Sequence, residues 1–330
     1  MRSVLSSLRT SSQIKQLPWL GFGLILSLTP SPALANAGTA LMWTGLIHLL
    51  VGNLIIGYVE GRLLSKLFGT AKRLSVGVLI LANYASTWVG TLLLVGRLSN
   101  HPAVTLENLQ VWIVVLVIAA FLLTLLIEYP FIWFLLRQRK QALQTALKAA
   151  FVIHGISYLL LFGWYGLNSQ TSLLTELSLV PAAQLQTSER YTLYFLASDS
   201  GQPMRLNLPE LKPTAIDQSE FLAIAPELNQ TFGPVPKLTE TTDWDYYANV
   251  FAGGGLTGLN RRTKSSVRFS LETPFIFWSI SRAAHLSGDL LVFQLGRHQI
   301  CLLDPKTKRI ALIAKGKELV VHNAILEQPK

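Results

Sequence analysis

Four apolar runs, at residues 40–59, 75–96, 111–136 and 148–167, dominate the first half of the chain. Each is close to the ~20 residues that an α-helix needs to cross the ~30 Å hydrocarbon core of a bilayer. Backbone polar groups find no partner in lipid, so such runs can only become helices, packed together if they carry polar side chains. Composition agrees: 14% of the 330 residues are charged, where a soluble domain has about 25%. The third run contains LLTLLIEYPFIWFLLR, residues 122–137, in which Glu128 sits among lipid-like neighbours and Pro130 follows two positions later. A carboxylate kept in such a place needs a partner.

Partners are available at helical spacing. The first run carries Asn53, Gly57, Glu60 and Gly61 on one face, and the second carries Asn83, Ser86, Thr87 and Gly90. The third adds Thr124 and Glu128, and the fourth His154, Ser157 and Tyr158. Four polar stripes with no match in lipid are expected to face one another. With ~1.5 Å of rise per residue, Asn53, Asn83, Glu128 and His154 fall at a similar depth, roughly 5–13 Å from the cytoplasmic face. His48 falls in the outer half, which argues against a bis-histidine haem held by His48 and His154. Glu60 stands at the end of the first run beside Arg62, where it is expected to reach water. Trp43, Trp112, Trp133, Trp164 and Tyr165 read as an interfacial belt.

Two roles fit the stripe. As interhelical glue, its hydrogen bonds contribute about 0.6–2 kcal/mol each, and the small residues Gly57/Gly61 and Ala82/Ser86/Gly90 let the backbones approach. As a site, Glu128 binds a proton or cation with support from His154, Asn53 and Asn83. Pro130, which has no N–H, leaves the Leu126 carbonyl without its helical donor.

Charge supplies the topology. Residues 1–167 hold 12 Lys/Arg against three acids, a net of +9, and residues 168–330 hold 16 against 15, a net of +1. The excess is concentrated at the N-terminus and in two connections, Arg62–Lys66–Lys72–Arg73 and Arg137–Arg139–Lys140–Lys148, which the positive-inside rule places in the cytoplasm. The 97–110 connection carries Arg97 alone. Residues 1–37 read as a cleaved secretory signal peptide, with Arg2, Arg9 and Lys15 before a short apolar stretch and small residues at Ala33, Ala35 and Ala37. Both signals put residues 168–330 on the periplasmic or lumenal side of an inner (plasma) or other internal bacterial-type membrane. The second half has no basic face interleaved with aromatics, which excludes nucleic acid as a partner.

Beyond a linker at 168–188 the period changes to two. Residues 191–208 read as two strands about a turn, 246–271 as strands about Gly253–Gly255, and 289–316 as three strands turning near Gly296–His298 and at Asp304-Pro305-Lys306. Leu206-Asn207, Leu259-Asn260 and Leu303-Asp304 each close a strand, a weak repeat with spacings of 53 and 44 residues. The segment 289–316 resembles a blade hairpin of repeat β-propellers. That resemblance implies an antiparallel meander and no particular activity.

Chemical motifs in this half are sparse. GGGLTG lacks the Gly-Lys-Ser/Thr of a phosphate loop and reads as a hairpin turn. Asp243-x-Asp245 lacks the further ligands of a calcium loop and reads as surface. His285, His298 and His322 lack metal spacing, and the single cysteine, Cys301, reads as a small buried hydrophobe.

The expected architecture is therefore an α-helical membrane bundle at 38–167, followed by an all-β, antiparallel meander or propeller-like extramembrane domain at 189–330. The expected function is a non-enzymatic scaffold, assembly or sensing component without a cofactor, whose partners are the bilayer and a protein or a second copy of the chain. The alternative is a small proton- or cation-linked transporter using Glu128.

Overall fold

The computed structural model describes residues 45–95, 101–168, 173–224, 233–239, 242–248, 255–273, 275–276 and 278–323. The signal peptide expected at 1–37, Trp43, Arg97, Gly253 and Gly254 lie outside the described residues.

Among those residues four helices are long and apolar enough to cross a membrane: α1 (Gly45–Phe68), α2 (Lys72–Leu93), α3 (Leu109–Leu136) and α4 (Ala142–Leu167). Short connections make α1 and α2, and α3 and α4, antiparallel neighbours. Gly69 ends α1 in the left-handed conformation (φ 64°), with its N–H donating to the Ser65 carbonyl at 3.0 Å, the usual glycine stop. Arg139, from the α3–α4 connection, donates to the Phe68 and Gly69 carbonyls, both at 3.0 Å. The two basic connections are thus pinned at one end of the bundle.

The first helix differs from the expected run. It continues to Phe68, so Glu60 lies well inside it rather than at its end, and it is buried to 1% exposure. A run read by hydropathy breaks at Glu60 and Arg62. The helix does not, because Glu60 points into the bundle and Arg62 lies on the outside with Tyr58. Close packing explains how: a Cβ on Gly57 would stand 2.5 Å from the Ile80 Cα, and one on Gly61 2.5 Å from the Val76 Cα. The bare glycine face of α1 therefore lies directly on the backbone of α2. Gly90, expected to serve the same purpose, faces open space. Leu64, Leu79, Ile132, Leu136 and Ile153 fill the interior around the polar layer.

After α5 (Leu173–Glu176) come β1 (Ser178–Leu179), β2 (Tyr191–Ala197), β3 (Pro203–Leu208) and β4 (Pro213–Ala215), then α6 (Gln218–Ile224). They are followed by β5 (Gly233–Pro234), β6 (Trp244–Ala248), β7 (Leu256–Asn260), β8 (Ser266–Phe269), β9 (Ile280–His285), β10 (Leu291–Leu295), β11 (Gln299–Asp304), β12 (Arg309–Ala314) and β13 (Gly316–Asn323). These strands form three open sheets, ordered β13-β2-β3-β4, β5-β6-β7-β8 and β1-β12-β11-β10-β9. All pairings between the named strands are antiparallel except β1 with β12.

Two sheets contain a four-stranded meander (β5–β8 and β9–β12) and the first a three-stranded one (β2–β4) beside β13, and the Leu-Asn/Asp repeat falls on β3, β7 and β11. Two copies share a physical cause. Asn260 Oδ1 accepts from the Arg262 and Thr263 N–H groups (3.0 and 2.9 Å), and Asp304 Oδ1 from those of Lys306 and Thr307 (3.0 and 3.2 Å). The side chain makes the turn.

The middle strands β10 and β11 are buried on both faces, which is why they read as near-continuous apolar runs. Leu291, Phe293, Leu295, Cys301 and Leu303 point into one core, and Val292, Ile300 and Leu302 into the other. Fully burying a side chain of Leu or Phe size stabilises by about 1.5–3 kcal/mol. The first of these cores is continuous with Val104, Leu106, Leu109 and Leu116 of the α2–α3 connection and α3, and Trp112 packs against it. Leu106 N–H donates to Gln299 Oε1 at 2.6 Å. The segment expected as a linker is also built in: Leu173 and Leu177 join that core, and Ser178 N–H donates to the Lys308 carbonyl at 2.8 Å. Its alternating small and polar residues read as a tether, but a few leucines at the right spacing suffice to dock it.

Candidate functional site

The polar residues of the four helices meet in the bundle interior, and a subset forms one connected cluster. Glu60 on α1, Glu128 on α3 and His154 on α4 are buried, and ligand-capable atoms of the three all lie within 4.8 Å of one another. His154 Nδ1 stands 3.0 Å from Glu60 Oε1, and His154 Nε2 stands 3.8 Å from Glu128 Oε2. From α2, Asn83 Nδ2 donates to Glu60 Oε2 at 2.5 Å, to its own-helix Leu79 carbonyl at 3.0 Å and, at 3.4 Å, towards Glu128 Oε2. Ser86 Oγ lies 2.5 Å from Glu128 Oε1, to which it donates. All four helices contribute.

The spacing of α2 places Asn83 and Ser86 on one face, and the glycine contact holds α1 near enough for Glu60 to reach it. Pro130 lies inside α3 without ending it, two residues after Glu128.

Other expected members form separate pairs around this cluster. Thr87 Oγ1 donates to Asn53 Oδ1 at 2.8 Å, and Asn53 Nδ2 donates to the Leu49 carbonyl at 3.1 Å, just beyond a π-helical turn at His48–Gly52. Thr124 Oγ1 and the Tyr158 hydroxyl are 3.1 Å apart and link α3 to α4. Ser157 is buried and donates to the His154 carbonyl at 3.2 Å. His48 Nδ1 lies 2.9 Å from the Tyr165 hydroxyl. The two histidines weighed for haem are thus engaged with different partners. Sequence reasoning missed the Glu60–His154 contact, because it had assigned Glu60 to the water interface. The placement of Asn53, Gly57, Glu60 and Gly61 on one face already pointed Glu60 inward, against its reading as a residue at the water interface.

The β-domain holds a second buried charged group. Asp289 Oδ1 accepts from Thr242 Oγ1 and lies 3.2 Å from His285 Nε2, while Lys306 Nζ is 3.0 Å from Asp289 Oδ2. Burial alone would raise the Asp289 carboxyl, but the hydrogen bonds from Thr242 and Lys306 hold it below the ordinary carboxylate value. Burial lowers the His285 imidazole against the pull of Asp289. Because Asp289 joins the entry to β6, the end of β9 and the β11–β12 turn, this cluster ties three segments together. Asp245, expected in a surface loop, instead lies on β6 and pairs with Lys237, while Asp243, just before the strand, is 3.3 Å from Arg262. Cys301 is fully buried in β11, and burial pushes its thiol well above the usual range.

Fold and site together define a four-helix, β-capped chain with a carboxylate–histidine cluster at the centre of its bundle. Comparison with family models, with curated proteins and with solved structures found no match.

Proposed function

We propose that the four helices span a membrane and that the protein is a small proton- or cation-linked transporter, with the cation bound between Glu60, Glu128 and His154. One observation carries the reading: ionisable side chains from three helices converge, fully buried, within 4.8 Å. Glue alone does not require this. Neutral amides and hydroxyls link helices at lower cost, as Asn53–Thr87 and Thr124–Tyr158 already do. Two carboxylates beside one imidazole in an apolar interior repel unless something positive lies between them.

The basic connections at one bundle end support a cytoplasmic location for that end. The β-domain then lies on the periplasmic or lumenal side, after removal of the signal peptide. Its three meanders, with β13 added to the first sheet and β1 to the last, support a propeller-like arrangement.

The test is ion flux in liposomes reconstituted with the purified protein, read by internal pH- and cation-sensitive dyes. Wild-type protein should dissipate an imposed gradient, and Glu128→Gln should not while remaining monodisperse and inserted. Equal flux in both, or none in either, would refute the transport reading. The scaffold reading retains one specific support: the β-domain is fixed to the bundle through Leu106–Gln299 and a shared apolar core, as a domain presented to a protein partner or second copy would be. A stoichiometric partner surviving gentle solubilisation would favour it.

A further inference from the structure

Deepening the cation-binding reading and resting on it, we infer that the bundle cluster is a site for a divalent first-row transition metal, with His154 Nε2 and Glu128 as ligands and Glu60 as the residue that orients the imidazole.

The one buried side-chain nitrogen or oxygen of the cluster that makes no hydrogen bond to the protein is His154 Nε2. Its ring partner Nδ1 lies 3.0 Å from Glu60 Oε1. A carboxylate can only accept, so Nδ1 carries the hydrogen, and in the neutral ring the lone pair belongs to Nε2. That lone pair faces Glu128 Oε2 across 3.8 Å. Two acceptors facing each other in a buried site are stabilised by a cation between them. Transition-metal bonds of about 2.0–2.1 Å to imidazole nitrogen and about 2.0–2.2 Å to carboxylate oxygen span the gap with an N–metal–O angle of about 130°. Closing the gap by about 0.4 Å reaches the tetrahedral angle.

The surrounding residues match what such a site requires. A metal-bound histidine almost always donates its other N–H to a carboxylate or carbonyl, and Glu60 occupies that place. Glu128 is oriented by Ser86, which donates to Oε1 and leaves Oε2 towards the imidazole. Asn83 reaches both carboxylates and sets their separation. The other titratable group nearby, Tyr158, is hydrogen-bonded with Thr124 on the flank.

Two carboxylates and a neutral imidazole carry a charge of −2, which one divalent cation cancels. Leu79, Ile132 and Ile153 surround the layer, where leftover charge is costly. The donor set selects among cations: imidazole with carboxylate, without sulfur, suits Zn²⁺, Mn²⁺, Fe²⁺ or Co²⁺, whereas Ca²⁺ and Mg²⁺ ask for oxygen cages. Two protein ligands leave coordination positions for water, as suits an ion that must leave again.

The test uses full-length protein in mild detergent, stripped of metal and carrying an affinity tag without histidine. It is titrated with Zn²⁺, Mn²⁺, Co²⁺, Mg²⁺ and Ca²⁺ separately, followed by calorimetry and by the visible spectrum of Co²⁺. One equivalent of Zn²⁺ or Co²⁺ per chain is expected, with Mg²⁺ and Ca²⁺ at least tenfold weaker. Glu128→Gln should abolish binding. Glu60→Gln should weaken it by about 10–100-fold, the usual effect of losing an outer partner, and should alter the Co²⁺ spectrum, which a merely structural role would leave unchanged.

Unchanged Zn²⁺ affinity in Glu128→Gln would overturn the assignment. Should that variant fail to fold, X-ray absorption of the Zn²⁺-loaded wild type decides: one imidazole with oxygen neighbours supports the site, and a sulfur shell or several imidazoles refute it. If the wild type binds none of the transition metals yet moves protons in liposomes, this inference fails and the transport reading survives. If it binds Zn²⁺ through these residues but moves nothing, the reverse holds.

Discussion

Replacing Gly61 by alanine adds one carbon at the closest approach of two helices. That carbon would stand 2.5 Å from Val76 Cα, 2.7 Å from Val76 N and 2.9 Å from Ser75 C. Carbon atoms rest at about 3.5–4.0 Å, and backbone cannot rotate aside, so α1 and α2 must separate by about 1 Å. Glu60 is the adjacent residue. Its 2.5 Å contact with Asn83 would stretch to about 3.5 Å, past the 3.2 Å range of a good N–H···O bond. Crowding costs about 1–3 kcal/mol and the lost interhelical bond about 0.6–2 kcal/mol. Alanine's better helix propensity offsets about 1 kcal/mol. The net is a destabilisation of about 1–4 kcal/mol. Gly77 and Gly155 are the controls, because a Cβ at either meets nothing within 4 Å. Alanine there should be neutral or stabilise by up to about 1 kcal/mol. Reversible unfolding of the purified variants in mixed micelles of rising SDS fraction measures all three. Equal midpoints for Gly61→Ala and Gly155→Ala would refute the close-packing argument.

Three further perturbations probe the β-domain and its attachment. Gln299→Ala strands the buried Leu106 N–H, a loss of about 1–3 kcal/mol, and amide exchange across 101–109 should accelerate; unchanged protection would show that other contacts hold the connection. Cys301 should resist a thiol reagent in the native protein and react on unfolding, so fast native labelling would contradict its burial. Acid should weaken the β-domain in two stages. The folded His285 imidazole lies below its ordinary 6.5, so stability present above that pH falls as pH drops towards the folded value. The folded Asp289 carboxyl lies below its ordinary 3.8, so its contribution persists to more acid pH and is lost as pH falls through the folded value. Urea midpoints followed by tryptophan fluorescence should fall from pH 7.5 to pH 5 in the wild type and fall less in His285→Gln; parallel curves would dismiss the histidine.

The helices were legible because length and hydropathy are local properties, as the runs at 111–136 and 148–167 illustrate against α3 and α4. The Leu-Asn/Asp repeat was legible for a similar reason: in two of its copies the side chain that marks it also builds the adjacent turn. Glu60 was misplaced because a hydropathy run measures lipid exposure, while its position depends on α2 lying against two glycines. Nothing near Leu106 signals that its N–H will meet Gln299, since the partner lies far along the chain. The same applies to Leu173 and Leu177, whose apolar character is plain but whose destination is a sheet built later.

The ends of the β-domain are exchanged: Ser178 in β1 pairs with Arg309 in β12, and Gly316 in β13 pairs with Ala197 in β2. A ribosome delivers these partners at opposite ends of the domain's synthesis. Strand β2 lacks one neighbour after β3 and β4 have been made, and that edge of β2 must stay unpaired until residues 316–323 emerge. Contacts so distant in sequence are slow to form, and an open edge is a template for the wrong strand. A chain cut short before residue 316 leaves that β2 edge bare.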